Sequence, residues 1–219
     1  METREKTNVI IALCTVFLLQ LFVPNINAQK IWEVRKGTIR AQGNLAPGYL
    51  FSQKYFAAYV TGDMDLFLND RAAFTGSVWV SFSTSPKNKE GLLANHSLFG
   101  GMNYHFLKPQ RFDPYVGLTP GVALVRTAFY NDSYTLTKSN FSVAPLISLS
   151  TGFNYYVGSF FHFFLKAQGV VGLTFGNAPK PTRLDELKVT VGLGWNFRAW
   201  KPKKTDIWKP KKQSVKYKN

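Results

Sequence analysis

The side chains best placed to do chemistry in this chain are four charges buried in otherwise apolar or small-residue segments, together with three histidines. Arg40, Asp63, Asp65 and Lys166 each occupy a polar position within a stretch that alternates apolar and polar residues. An unpartnered charge held away from water is very costly, so charges on the same face of neighbouring segments are expected to balance one another. Two roles fit such a cluster. One is a structural ion-pair plug filling a narrow interior, since small barrels fill themselves with side chains. The other is the gate of a pore for ions or small solutes. His96 (directly before Ser97), His105 and His162 could act as general bases, which raises an enzymatic alternative. Adjacent residues of a strand point to opposite faces, so His96 and Ser97 cannot readily form a base and nucleophile pair. No acid is evident beside these rings. No metal-ligand spacing or phosphate-cradling glycine loop is present either, so no enzyme activity, metal or cofactor is expected.

The elements that position these residues are read from period-two patterning. Leu187 to Arg198, LKVTVGLGWNFR, places Leu187, Val189, Val191, Leu193, Trp195 and Phe197 on one face, and Lys188, Thr190, Gly192, Gly194, Asn196 and Arg198 on the other. The same alternation recurs at about 37–51, 54–68, 72–84, 96–107, 114–130, 141–157, 160–175 and 187–198, which predicts eight strands. The connectors alternate between short (69–71, 109–113, 158–159) and longer (85–95, 131–140, 176–186), with a tight one at 52–54. An even number of strands with alternating short and long connectors is the layout of an outer-membrane barrel. The apolar face carries almost no charge, so the polar face is expected to line the lumen and the apolar face to meet lipid. A soluble barrel would reverse this. Phe106, Phe112, Tyr115, Tyr155, Tyr156, Phe160, Phe161, Trp195, Phe197 and Trp200 gather near the short-turn end, as an interfacial aromatic girdle would. Pro120 and Pro145 fall within strand patterns, where bulges are expected to absorb the missing donors.

Residues 1–28 have the layout of a secretory signal peptide: Arg4 and Lys6, an apolar run from Val9 to Val23, and a small residue, Ala28, before Gln29. Cys14 is the only cysteine and lies in that leader, so the exported chain relies on packing or membrane burial and not on disulfides. The net charge of +15 lies wholly after the leader, because Glu2 and Glu5 offset Arg4 and Lys6.

On these residues the chain resembles the small eight-stranded outer-membrane β-barrel family, similar in layout to the transmembrane domain of outer membrane protein A, over about residues 37–198. The stretch GGMNYHF, then a turn and DPYVGLTPGVAL, is similar to barrel proteins of the Bacteroidota type. The resemblance implies that Thr190, Gly192, Trp195 and Phe197 form the signal read by the barrel assembly machinery. In the family the final aromatic usually ends the chain, whereas here 22 residues follow Phe197. It also implies that an enzymatic member of such a group would modify lipid A, the weaker alternative for this chain.

The expected organisation is therefore a signal peptide (1–28), a short periplasmic segment (29–36), an all-β, antiparallel up-and-down transmembrane barrel (37–198) and a basic periplasmic tail (199–219), with both termini periplasmic. The tail repeats WKPKK: Trp200, Lys201, Lys203 and Lys204, then Trp208, Lys209, Lys211 and Lys212. Eight lysines and one aspartate between Lys201 and Asn219 suit a solvated tail or an anionic partner, either lipid headgroups or cell-wall polymer. Nucleic acid is not expected in that compartment. The functional expectation is a structural or porin-like barrel among outer-membrane lipids. The alternative is an accessory barrel subunit of a secretion or envelope-maintenance machine.

Overall fold

The structure, a computed structural model, describes residues 35–83, 90–131, 133–175 and 181–200. The expected signal peptide and the lysines of the tail lie outside these residues. Among the described residues there is no helix, and the strands are β1 (Thr38–Leu50), β2 (Tyr55–Phe67), β3 (Ala72–Ser83), β4 (Gly91–His105), β5 (Phe112–Tyr130), β6 (Leu136–Lys138), β7 (Ser142–Tyr156), β8 (Phe161–Gly172) and β9 (Glu186–Arg198). β6 is a three-residue strand paired only with the end of β5, at Ala128–Tyr130. The other eight strands are the staves. Each pairs antiparallel with its neighbours in chain order, and β4–β5 and β1–β9 pairings close the sheet into a barrel. Closure leaves no stave without a neighbour on either side, which is the condition for spanning a membrane with strands. The staves have 12 to 19 residues, more than a tilted strand needs to cross a bilayer.

Strand formation follows the alternation. On β2, Tyr59, Thr61, Asp63, Asp65 and Phe67 are buried inside, while Phe56, Val60 and Met64 are exposed outside. On β9, Glu186, Lys188, Thr190 and Asn196 face in, while Leu187, Val189, Val191, Leu193, Trp195 and Phe197 face out. Among the described residues of the eight staves, the only charged residue at an outward position is Arg126, whose guanidinium lies 5.5 Å from the centre of the Phe141 ring. β4 begins at Gly91, earlier than its polar pattern suggested, because a register shift between Leu92 and Ala94 resets the alternation. The other register shift lies at Ala58/Tyr59.

The bulges expected at the two prolines are not there. Pro120 pairs with Ile147 and Pro145 with Val122 in uninterrupted register, and both prolines face outward. At the end bearing Thr38 and Arg198, hereafter the terminal end, tight turns are held by side chains. Asn69 Oδ1 accepts from the amides of Arg71 and Ala72, both at 2.8 Å. Gly37 precedes β1 at φ +78°, a left-handed conformation that suits glycine, and a Cβ there would also strike the Trp200 indole, 2.6 Å from Nε1.

Candidate functional site

The inward residues of the staves form a polar and aromatic interior. Among the described residues it holds four buried cations (Arg35, Arg40, Lys166, Lys188) and four buried carboxylates (Asp63, Asp65, Asp113, Glu186). They are distributed in three tiers.

The tier at the terminal end centres on Asp113, which opens β5. Arg35 Nη2 reaches Asp113 Oδ1 at 2.9 Å, His105 Nδ1 reaches the same oxygen at 2.9 Å, and Tyr156 OH donates to Oδ2 at 3.1 Å. Arg40 Nη1 lies 3.5 Å from Oδ2. Arg40 also donates through Nε to Asp65 Oδ2 at 2.8 Å, and Asn103 Nδ2 donates to Asp65 Oδ1 at 2.9 Å. The Arg40 guanidinium lies 5.3 Å from the Phe67 ring centre and 5.5 Å from that of Tyr115. Arg35 adds bonds to the carbonyls of Asp70 (2.9 Å) and Leu107 (3.0 Å), drawing two turns together across the mouth. A charge network so fully bonded escapes much of the cost of burial.

In the second tier Lys166 Nζ donates to Asp63 Oδ1 at 2.8 Å. The third contains Lys188, whose Nζ lies 3.4 Å from Glu186 Oε2, 4.4 Å from the centre of the Trp79 ring and 4.5 Å from that of Tyr59. Burial strengthens such cation–π contacts. Asn95 Nδ2 bonds Tyr59 OH at 3.1 Å and Glu186 Oε2 at 3.4 Å. Leu50, Leu92, Val125 and Leu184 are buried in an apolar cluster that also contains Tyr59 and Trp79.

Of the four charges singled out by sequence, all are buried inside, but they form two separate pairs, Arg40–Asp65 and Lys166–Asp63, and not one cluster. Arg35, His105, Asp113, Glu186 and Lys188 complete the interior network. By sequence Arg35 falls in the segment before the barrel, and Asp113 and Glu186 in connectors, because each stands at the margin of an alternating pattern. Lys188 was legible on the polar face of the last strand. His105, for which no acid was evident, has one in Asp113, eight residues away across the β4–β5 turn. Its Nε2 has no hydrogen-bond partner, so no nucleophile is bonded to it. Ser97 bonds Asn95 Oδ1 inside the barrel, and His96 faces outward. Tyr115 and Tyr156 point into the lumen and leave the girdle. Phe106, Phe112, Tyr155, Phe160, Phe161, Trp195 and Phe197 are exposed outside near the terminal end.

Thr190 is buried and Gly192 half-buried on the lumen side, whereas Trp195 and Phe197 are exposed, with Phe197 edge-on to Phe160 at 5.3 Å. A Cβ on Gly192 would lie 3.2 Å from Asn44 Nδ2 and 3.2 Å from the Phe164 ring, so this glycine gives room to both. Trp200 is exposed beside Gly37; Lys201, Lys203, Lys204, Trp208, Lys209, Lys211 and Lys212 lie outside the described residues.

No sequence family matches the chain, and no curated protein is significantly similar to it in sequence. Solved structures do resemble it. The outer membrane protein OprG from Pseudomonas aeruginosa superposes with a TM-score of 0.53 at 13% identity, over 80% of this chain and 100% of OprG. Ail, the attachment invasion locus protein of Yersinia pestis, gives 0.51 at 10% identity, over 74% of this chain and 99% of Ail. The N-terminal β-barrel domain of Pseudomonas aeruginosa OprF gives 0.50 at 16% identity, over 74% of this chain and 98% of that domain. At these identities the likeness is one of fold: the chain has the closed, eight-stranded antiparallel barrel of small outer-membrane proteins.

Proposed function

We propose that this chain is a bacterial outer-membrane barrel, embedded in lipid with both termini in the periplasm, that serves as a structural element with a lumen sealed by its own side chains. One observation carries the reading: the polarity of the barrel is inverted relative to a soluble one. Among the described residues the outward face of the staves is largely apolar and Arg126 is its only charged residue, while the charges on the staves otherwise face inward and balance. An apolar surface of this extent is incompatible with life in water and suits a bilayer. The comparisons support the reading through fold alone.

The reading assigns no catalysis and no cofactor. Its partners are outer-membrane lipids and the assembly machinery, which would read Thr190, Gly192, Trp195 and Phe197. The basic tail would hold an anionic lipid surface or cell-wall polymer, and nucleic acid is no partner. Fractionation should place the chain in the outer membrane. Purified barrel in a planar bilayer should show no unitary conductance, whereas Asp63→Ala or Lys166→Ala, which each break a tier, should show transient openings. Regular conductance of the unaltered chain would replace the sealed barrel with the porin-like reading.

A further inference from the structure

Cations crowd the rim at the terminal end. Lys36 precedes β1, Arg71 lies in the β2–β3 turn, Lys108 and Arg111 lie in the β4–β5 turn, and Arg198 ends β9. Because β9, β1, β2, β3, β4 and β5 are consecutive around the barrel, these positions follow most of the rim. Among the described residues the rim has one carboxylate that is not buried in the lumen, Asp70, and its Oδ1 accepts from the backbone amide of Arg35 at 2.8 Å. The opposite rim differs. There Arg183 is paired with Asp185 at 2.8 Å, and Glu90 accepts from the amide of Tyr130 at 3.0 Å.

The cations of the terminal rim stand beside the exposed aromatic band. Arg71 Nη1 donates to Tyr104 OH at 3.3 Å, and Tyr104, exposed on the outer wall, packs edge-on to Phe106 at 5.7 Å. Arg71 therefore lies against the side wall of the barrel and not over its mouth. Arg111 directly precedes the exposed Phe112, and Trp200 is exposed beside Gly37 where the chain leaves β9. Aromatic rings of this kind sit at the headgroup level of a bilayer, so cations beside them meet phosphates and not acyl chains. Among the described residues Arg71 and Arg111 have no carboxylate partner. A guanidinium presents a planar fork of donors that matches the oxygens of a phosphate.

We propose that the terminal rim is a collar for anionic phospholipids, in which Arg71, Lys108 and Arg111 hold headgroup phosphates above Tyr104, Phe106 and Phe112. The inference rests on the reading of the chain as a lipid-embedded barrel. It adds to that reading a preference for one lipid charge class, carried by the barrel and not by the tail. A lipid of net negative charge is the fitting partner because the rim cations outnumber Asp70, and a zwitterionic headgroup brings its own cation against them. Lipid fits better than a polymer beneath the membrane because Arg71 is laid along the outer wall.

The full chain, with every lysine from Lys201 to Lys218 changed to Gln so that the tail contributes no cation, would be folded into phosphatidylcholine bilayers. Heat-modifiable gel mobility would verify the barrel. Trace phosphatidylglycerol or phosphatidylcholine carrying a nitroxide on its acyl chain would then report, by electron spin resonance, the lipid immobilised at the barrel wall. Immobilised phosphatidylglycerol should exceed phosphatidylcholine at least about twofold at low salt, and the excess should shrink as salt is raised. Changing Arg71, Lys108 and Arg111 to Gln together should remove the excess without reducing the immobilised phosphatidylcholine. The three sites lie in turns and are exposed, so the barrel should persist in the variant. Equal immobilisation of the two lipids, or an excess that survives the triple change, would overturn the collar. A spectrum with no immobilised lipid of either kind would instead overturn the lipid-embedded reading.

Discussion

Arg40 and Asp65 stand directly opposite each other on β1 and β2, and the Arg40 guanidinium donates to one carboxylate oxygen through two nitrogens. Both are buried, so neither can fall back on water when the other is removed. Asp65→Ala should lower unfolding stability in lipid or detergent by about 3–5 kcal/mol, since it leaves a buried cation with one less partner. Adding Arg40→Met should restore part of the loss. Urea titrations of the two variants followed by tryptophan fluorescence would show the order.

Lys188 and Glu186 make the same argument in the third tier. Lys188→Met keeps an apolar chain against Trp79 and Tyr59 but strands Glu186, whose carboxylate is left with the neutral groups of Asn95 and Tyr59. A loss of about 3 kcal/mol is expected. The double change Lys188→Met with Glu186→Gln should be the more stable of the two proteins, which a urea midpoint comparison would establish.

Gly48 tests how tightly the interior is filled. A Cβ there would lie 2.1 Å from Glu186 Oε1 and 2.8 Å from the Tyr59 ring, whereas one on Gly76 would meet nothing within 4 Å. Gly48→Ala should cost about 1–3 kcal/mol through overpacking. Gly76→Ala should stay within about 0.5 kcal/mol of the unaltered chain. Similar stabilities for the two variants would show a looser lumen than the distances indicate.

The terminal strand separates assembly from stability. Phe197→Ala removes an edge-to-face contact with Phe160, a loss of about 1 kcal/mol in the refolded barrel. If Phe197 is also part of an assembly signal, the amount of barrel in the outer membrane of cells should fall much further than that stability change explains. Comparing refolded stability with outer-membrane yield for Phe197→Ala and Trp195→Ala distinguishes the two roles.

Deletion of residues 201–219 removes eight lysines. Binding of the barrel, held in detergent micelles, to vesicles containing anionic phosphatidylglycerol should weaken on deletion, and the difference should shrink as salt is raised. Equal binding with and without the tail at low salt would leave it a solvated extension.

The stave count, the two faces and the inverted polarity were legible in the linear pattern of residues such as Leu187 to Phe197. A strand's side chains alternate with a period of two whatever surrounds them, so the face on which Lys166 or Asp63 lies is a local property. The pattern fades at its ends, where Arg35, Asp113 and Glu186 stand, so their faces are not legible in it. It also misled where direction decides the role: Tyr115 and Tyr156 are near the girdle in sequence but turn into the lumen.

What the tertiary structure alone decided is which charge meets which. Periodicity assigns a face but neither a height along the barrel nor an opposite partner, because those depend on the register of all eight staves together. Hence Lys166 and Asp63, 103 residues apart, meet in the middle tier, while Asp65, two residues from Asp63, belongs to Arg40 and the tier at the terminal end. The break in the β1–β9 ladder at residues 43–47 could be seen in no single strand. Gly43, Asn44 and Pro47 acquire their meaning only when closure of the barrel sets them against Val191 and Gly192, the two ends of the chain meeting in one wall.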